Sequence, residues 1–261
     1  MTVSTSRDPA RIAGMFDAIA RRYDRLNHLL SLGLDRRWRQ RGVRELGLTG
    51  TERVLDVCTG TGDLAIEAVQ KRGRDSFFWK LWLTLFRKRV PTSFLEPARE
   101  VVGVDFAGEM LRHALDKVRR RGLAGRIRLA RGDATHLPVP DAAFDAAMVA
   151  FGIRNVERPA AALREMCRAL KPGGRLVILE FGFPRIPGVR ALYQAYFRHV
   201  LPRVGRAVSR HGEAYEYLPA SVADFSTEAG VVSLIADAGF ADVRAVPLTF
   251  GIVYLYSARK R

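Results

Sequence analysis

The apolar positions of this 261-residue chain fall into helical stripes and short continuous runs that alternate along most of its length. Between about 10 and 46 the spacing is helical, with Ile12, Met15, Phe16, Ile19 and Ala20 on one face and a break around Ser31-Leu32-Gly33. From 51 the pattern changes. Val54, Leu55 and Val57 form a run short enough for a strand, and Leu64, Ala65, Ile66, Ala68 and Val69 return to helical spacing. Val101 to Val104 predicts a second strand, Met110 to Val118 a helix, Ile127 to Ala134 a third strand and Phe144 to Ala150 a fourth. A helix over 159–170 ends at Lys171-Pro172-Gly173-Gly174, a strong stop signal, and Arg175 to Glu180 is a fifth strand. A helical pair between about 188 and 210, a helix at 228–238 and strands near 242–249 and 252–258 complete the reading. Apolar runs alternating with helices predict an α/β fold with a mostly parallel sheet covered on both faces. The expected organisation is a helical cap over 1–50, a ligand-binding core over 51–181, and a tail over 182–261 that completes the same domain.

The turn after the first strand carries the chemistry. Asp56 closes the run, and Cys58-Thr59-Gly60-Thr61-Gly62 leads into the helix. A strand, a glycine turn and a helix let backbone approach a nucleotide-like ligand closely. The dinucleotide fingerprint wants a third glycine and no nearby anion. Here Asp63 follows Gly62 and Asp56 precedes the turn, which suits a cation: the sulfonium and amino group of S-adenosylmethionine. Two further strand ends are acidic. Asp105 is placed to take ribose hydroxyls, and Asp133 to serve the adenine amino group.

Charge adds one feature. The chain holds 43 basic and 27 acidic residues, a formal +16, which favours polyanions such as nucleic acid or an anionic membrane surface. Asp56 and Asp105 stand 49 positions apart, where about 20 is usual for such folds. The surplus falls in an insertion at about 72–99 containing Phe77-Phe78-Trp79-Lys80-Leu81-Trp82-Leu83-Thr84-Leu85-Phe86 and then Arg87-Lys88-Arg89. Aromatic and leucine residues beside basic ones suit a helix lying in a bilayer interface, so residues 76–89 are expected to meet an anionic membrane. Packing on the domain itself, or on a protein partner, are the alternatives. No run approaches the roughly 20 apolar residues of a membrane span, and no secretory leader is evident. Cys58 and Cys167 lack metal-ligand spacing and read as reduced core residues. No metal site is expected.

Tyr23-Asp24-Arg25-Leu26-Asn27-His28-Leu29-Leu30-Ser31, Phe151-Gly152-Ile153-Arg154-Asn155-Val156, Arg168 to Phe181 and His199 to Gly205 together make the pattern specific. The chain resembles the ubiquinone and menaquinone biosynthesis C-methyltransferases over roughly 12–258, outside the insertion. The resemblance implies a seven-stranded class I (Rossmann-like) methyltransferase fold and methyl transfer to a ring carbon of a prenylated quinol. It implies S-adenosylmethionine contacts at Thr61, Asp105, Asp133 and Ala134, beside Asp56, Gly60 and Gly62 from the turn itself. A serine contact of the family falls at Ala150, which could supply only backbone. Arg154 and Asn155 are the implied catalytic pair at the substrate hydroxyl. Arginine stays charged, so phenolate stabilisation suits Arg154 better than a base role; an ion pair for Arg154 and a helix cap for Asn155 are the plainer alternatives. Tyr23, Asp24 and Asn27 could roof the donor, and His28, His199 and His211 are candidate proton acceptors. Val189, Leu192, Tyr193, Tyr196, Phe197 and Val200 could line a channel for an isoprenoid tail. An RNA methyltransferase is disfavoured, since two prolines do not follow the fourth strand, so no nucleic-acid partner is expected. A noncatalytic donor-binding subunit is disfavoured by intact Arg154 and Asn155. The implied location is cytoplasmic, peripheral to the inner face of the membrane; a homodimer is left open, as is naphthoquinol against benzoquinol.

Overall fold

The computed structural model describes residues 7–70, 96–196, 213–225 and 227–261. The segment from 76 to 89, together with Phe197, His199, Val200 and His211, lies outside them. Helix α1 spans Pro9–Leu30, started by a proline in its first turn and by the Asp8 carboxylate, which accepts from the Arg11 amide at 2.9 Å. It stops at Ser31, and Leu32 (φ 51°) and Gly33 (φ 75°) turn the chain into α2, Leu34–Glu45. Strand β1 (Arg53–Val57) and α3 (Asp63–Val69) follow, then β2 (Glu100–Asp105), α4 (Gly108–Arg120) and β3 (Ile127–Arg131). Next come β4 (Phe144–Ala150), a 3-10 turn (Ile153–Asn155), α5 (Pro159–Ala169) and β5 (Leu170–Phe181). The chain ends with α6 (Pro187–Ala195), α7 (Glu213–Asp224), α8 (Glu228–Asp237), β6 (Phe240–Leu248) and β7 (Val253–Lys260).

The strands make one seven-stranded sheet in the order β3-β2-β1-β4-β5-β7-β6. Only β7 runs against the others, pairing antiparallel with both β5 and β6. The seven-stranded, mostly parallel sheet is the one expected, with three local differences. Strand β3 ends at Arg131, short of the expected Ala134, so Asp133 stands just beyond it. Strand β5 begins at Leu170, not Arg175, because Lys171 to Gly174 run as an irregular extension; Phe144 pairs with Leu170 and Ala146 with Arg175. Helix α7 was not expected, because Pro219 stands inside it and interrupts the sequence signal.

Alternation along β1 sends Val54 to one core and Leu55 and Val57 to the other. Leu163 and Met166 of α5 with Val231 and Ile235 of α8 cover one face; Trp38 of α2, Leu64 and Ile66 of α3 and Val118 of α4 cover the other. Strand order reverses between β1 and β4, and in sheets of this kind a ligand binds at that reversal, beyond the carboxyl ends of the strands.

A chain of charges fastens the N-terminal helices to the glycine turn. Lys117 of α4 donates to Asp24 of α1 (2.7 Å), to Thr61 of the turn (3.1 Å) and to Asp63 at the start of α3 (2.5 Å). Arg39 of α2 donates to Asp63 (2.9 Å) and to Asp35 (2.8 Å). Asp35 also meets His28 Nδ1 at 2.6 Å and Ser31 Oγ at 2.8 Å. Burial pushes the Asp63 carboxyl up, but Arg39 and Lys117 outweigh it and hold the group below its usual value. A carboxyl depressed in the fold contributes stability above its unfolded pKa and loses that contribution as pH falls through the folded value.

Replacing Lys117 with Met should therefore leave Asp24 without its cation and Asp63 with Arg39 alone. The expected cost is on the order of 3 kcal/mol, read as a lower urea midpoint at pH 7.5, and the difference from wild type should shrink as the pH approaches 3. An unchanged midpoint at neutral pH would show that the charge chain does not hold the cap.

Candidate active site

At the carboxyl ends of β1 and β4, under α1, α2 and α6, lies a cavity of about 530 Å³. A second, of about 90 Å³, opens at the ends of β2 and β3. Cys58 lines both, so the two spaces adjoin across the turn.

The turn has its shape because of what stands in it. Gly60 (φ 54°) and Gly62 (φ 79°) take left-handed backbone that favours glycine, and the place a Cβ would occupy at Gly60 is open. Cys58, where the wider pattern has glycine, also has positive φ (56°). Its side chain is accommodated by a missing one: a Cβ on Gly152 would stand 2.4 Å from the Cys58 Cβ. The two positions form a complementary pair.

The acids of the site divide into two kinds. Asp56 is buried; Thr59 Oγ1 donates to its Oδ2 at 2.5 Å, and Oδ1 has no side-chain or backbone partner within hydrogen-bond distance. Burial drives its pKa up to about 7, against the Thr59 bond and with the Asp105 charge adding. Asp105 is buried too, with Oδ2 on the Gly60 amide (2.7 Å) and Oδ1 on the Ala107 amide (2.9 Å); burial raises it to about 6 in spite of those bonds. Neither has a side-chain cation in hydrogen-bond contact. Asp63, by contrast, is already neutralised by Arg39 and Lys117, so the expectation that it faces a cationic ligand gives way to a structural role.

Thr61 donates its hydroxyl to Asp24 (2.5 Å) and accepts from Lys117, which commits that side chain to the protein. Asp133 Oδ1 accepts from the Thr135 amide at 2.8 Å, and Asp133 lines the smaller cavity together with Asp105 and Ala134. Asp56, Gly60, Thr61 and Ala150 line the larger cavity; Gly62 shapes the turn between.

Arg154 and Asn155 are adjacent in sequence but face different spaces. Arg154, buried in the wall of the large cavity, donates from Nη1 to Glu180 Oε1 (2.6 Å) and to the Phe151 carbonyl (2.7 Å), and from Nε to Ser221 Oγ (3.3 Å). Its guanidinium stands 5.3 Å from the centre of the Phe181 ring. Nη2 takes no acceptor among the described residues, which leaves one donor edge for a ligand. Asn155 lines the smaller cavity; its amide reaches the Phe151 carbonyl only at 3.5 Å, and its buried Oδ1 has no partner. The pair is split between the two cavities.

Of the proposed roof, Tyr23 and Asn27 line the large cavity, while Asp24 is held by Thr61 and Lys117. Val189, Leu192, Tyr193 and Tyr196 line it as well, and the Tyr196 hydroxyl donates to the Leu30 carbonyl at 2.9 Å, joining α6 to α1. Burial raises the phenols of Tyr23, Tyr193 and Tyr217, which keeps them neutral. His28 is engaged with Asp35 and does not line the cavity. Glu180, Trp38 and Tyr217 are functional candidates that the sequence reading passed over. Glu180 carried a usable signal, an acid at the end of an apolar strand like Asp56 and Asp105. Trp38 and Tyr217 reach the site only through tertiary packing. Among the described residues no His/Cys/Asp/Glu group is arranged to hold a metal ion.

These residues fit S-adenosylmethionine on two observations: a buried, unpartnered carboxylate oxygen on Asp56 for a cation, and open space over Gly60 for close backbone approach. The comparisons agree. Residues 3–260 match the profile of the ubiE/COQ5 methyltransferase family. The ubiquinone/menaquinone biosynthesis C-methyltransferase UbiE of Syntrophotalea carbinolica is 45% identical over 243 residues, covering 93% of this chain and 91% of that relative. The demethylmenaquinone methyltransferase of Deinococcus radiodurans is 42% identical over 247 residues, covering 95% and 91%. Among solved structures, a SAM dependent methyltransferase from Aquifex aeolicus superposes with a TM-score of 0.52 at 22% identity, covering 85% and 89%. The [4+2]-cyclase SpnF gives 0.54 at 21%, covering 95% and 94%. The structural likenesses establish the class I fold alone.

Ionising Asp56 costs folding stability as pH rises from the ordinary carboxylate range to about 7, because the folded protein holds that proton more tightly than the unfolded chain. A bound cation offsets the cost, so donor affinity should rise with pH. Calorimetric titration should give an S-adenosylmethionine association constant about tenfold higher at pH 8 than at pH 6. Asp56→Asn should bind weakly and flatten the profile; a flat profile in wild type would remove Asp56 from the donor site.

Proposed function

We propose, from the premise that the chain belongs to the ubiE/COQ5 methyltransferase family, that its methyl acceptor is a prenylated quinol whose ring enters the large cavity beside Arg154. The protein is an S-adenosylmethionine-dependent C-methyltransferase of quinone biosynthesis. The observation that carries the acceptor assignment is the cavity itself: about 530 Å³, walled by Phe16, Trp38, Phe151, Phe181, Tyr193 and Tyr217, and touching the glycine turn at one end. An aromatic ring and the first part of an isoprenoid tail match such walls, whereas a polyanion does not.

Asp56, Asp105, Asp133 and the Gly60–Gly62 turn would hold the donor, and bound there S-adenosylmethionine supplies an electrophilic methyl group. The protein's own work is orientation and electrostatics. Apolar walls exclude water, which strengthens the effect of each fixed charge on a developing phenolate. The Glu180 carboxylate and the Phe151 carbonyl hold the Arg154 guanidinium at Nη1 and Ser221 holds it at Nε, so its remaining edge meets the quinol oxygen without reorganising. Arginine does not give up its proton at neutral pH, so Arg154 stabilises negative charge and is not the base. The neutral phenols of Tyr23, Tyr193 and Tyr217 are donors for the same oxygen or its partner across the ring. A substrate with a polyprenyl tail is held in a bilayer, and this supports reading the enzyme as a peripheral protein of the membrane.

Reduced demethylmenaquinone and its benzoquinol counterpart, each incubated with labelled S-adenosylmethionine, test the assignment. Label should enter one or both quinols and not bulk RNA run in parallel. Arg154→Ala should lower kcat about 10²–10³-fold with little change in donor binding. Label in RNA with neither quinol methylated would contradict the reading.

A further inference from the structure

We infer that the mouth of the large cavity is itself the membrane-docking surface, set directly on an anionic bilayer so that the tail passes from lipid to cavity without crossing water. This rests on the prenylated-quinol reading and adds the face that delivers the substrate. Seven large apolar side chains stand exposed among the described residues, and five of them belong to segments that frame this mouth. Leu32 is 88% and Leu192 73% exposed, and both also line the cavity, so each joins the cavity wall to the outer surface. Phe250, 66% exposed, sits between Thr249, which accepts from the Trp38 indole at 2.9 Å, and the cavity residue Ile252. Its neighbour Gly251 lies against Phe183 and Pro184, on the approach to Ile186 and α6. Leu29 stands on the last turn of α1 beside the cavity residue Leu30.

Two features argue that this is a built surface. Leu32 (φ 51°) and Phe250 (φ 60°) both hold left-handed backbone, rarely adopted by bulky residues, and there each presents its side chain to solvent. Such backbone persists only where its surroundings fix it, and at this mouth it fixes two large apolar side chains outward. The charges around the rim name the partner. Arg25, Arg36, Arg37 and Arg190 are exposed on α1, α2 and α6, and none pairs with a carboxylate among the described residues. Across 29–37 and 183–196 the one acid is Asp35, which is buried on Arg39 and His28. An apolar rim inside a ring of arginines matches acyl chains beneath anionic headgroups.

Sedimentation with vesicles tests this, using phosphatidylglycerol mixed into phosphatidylcholine and phosphatidylcholine alone. Wild type should favour the anionic vesicles. Leu29→Gln/Phe250→Asn keeps a helix former and a residue tolerant of left-handed backbone, and should lower partitioning roughly tenfold or more. Arg36→Glu/Arg37→Glu should abolish the preference for anionic lipid. Both variants should methylate a short-tailed quinol in solution as wild type does, and lose rate only on a long-tailed quinol in vesicles. Vesicle binding that survives both variants, or that falls only on replacing Trp79 and Trp82, would overturn the proposal. Failure of wild type to methylate the short-tailed quinol would instead count against the quinol reading, and leaves the vesicle result to be judged on its own.

Discussion

The rest of the site depends on the sharing of Asp63 between Arg39 and Lys117. One carboxylate at the start of α3 takes a cation from α2 and another from α4, and Lys117 carries the link on to Asp24 of α1. The turn's glycines have no side chains to anchor anything, and Thr61, bonded to Asp24 of α1 and Lys117 of α4, is its one side-chain link to the cap among the described residues. The ion pairs on either side of it do that work and bring α1 and α2 over the carboxyl ends of β1 and β4. With those helices in place, Phe16, Tyr23 and Trp38 become walls of a cavity and not surface residues.

The distribution of compensated and uncompensated acids then shows where a cationic ligand belongs. Asp35, Asp63 and Glu180 each have a side-chain cation at hydrogen-bond distance. Asp56 and Asp105 have hydroxyl or amide partners only, and both titrate upward. Buried carboxylates are costly unless paired, so the two left without a cation mark the donor, one in each of the adjoining cavities. Glu180 holds Arg154, whose Nη1 donates to its carboxylate at 2.6 Å. In the proposed reaction, donor recognition and phenolate stabilisation use opposite charges on neighbouring strand ends, β1 and β2 against β5 and the turn after β4.

Much of this was legible in the residues. The strands announce themselves because parallel strands covered on both faces are continuous apolar runs, and Asp56, Asp105 and Asp133 stand at or just beyond their ends in chain order. The helix break at Ser31 to Gly33 was legible from the glycine. What stayed hidden has a common cause. Asp63 reads as a ligand-facing acid until Arg39 and Lys117, 24 and 54 positions away, are seen to reach it. Arg154 and Asn155 are implied by the family resemblance as one catalytic pair, and the 3-10 turn sends them to different cavities. Helix α7 was obscured by Pro219, and with it Tyr217. Local spacing reports elements; long-range contacts decide which side chain meets which.

The most direct test of the account is a crystal structure of the protein with S-adenosylhomocysteine and a demethylated quinone carrying a short isoprenoid tail. The account predicts the amino end of the nucleoside at Asp56, its ribose at Asp105, the quinone ring against Arg154 and Phe181, and the tail leaving between Leu32 and Leu192. A quinone ring bound outside the cavity, or a nucleoside whose amino group pairs with Asp63 in place of Asp56, would contradict it.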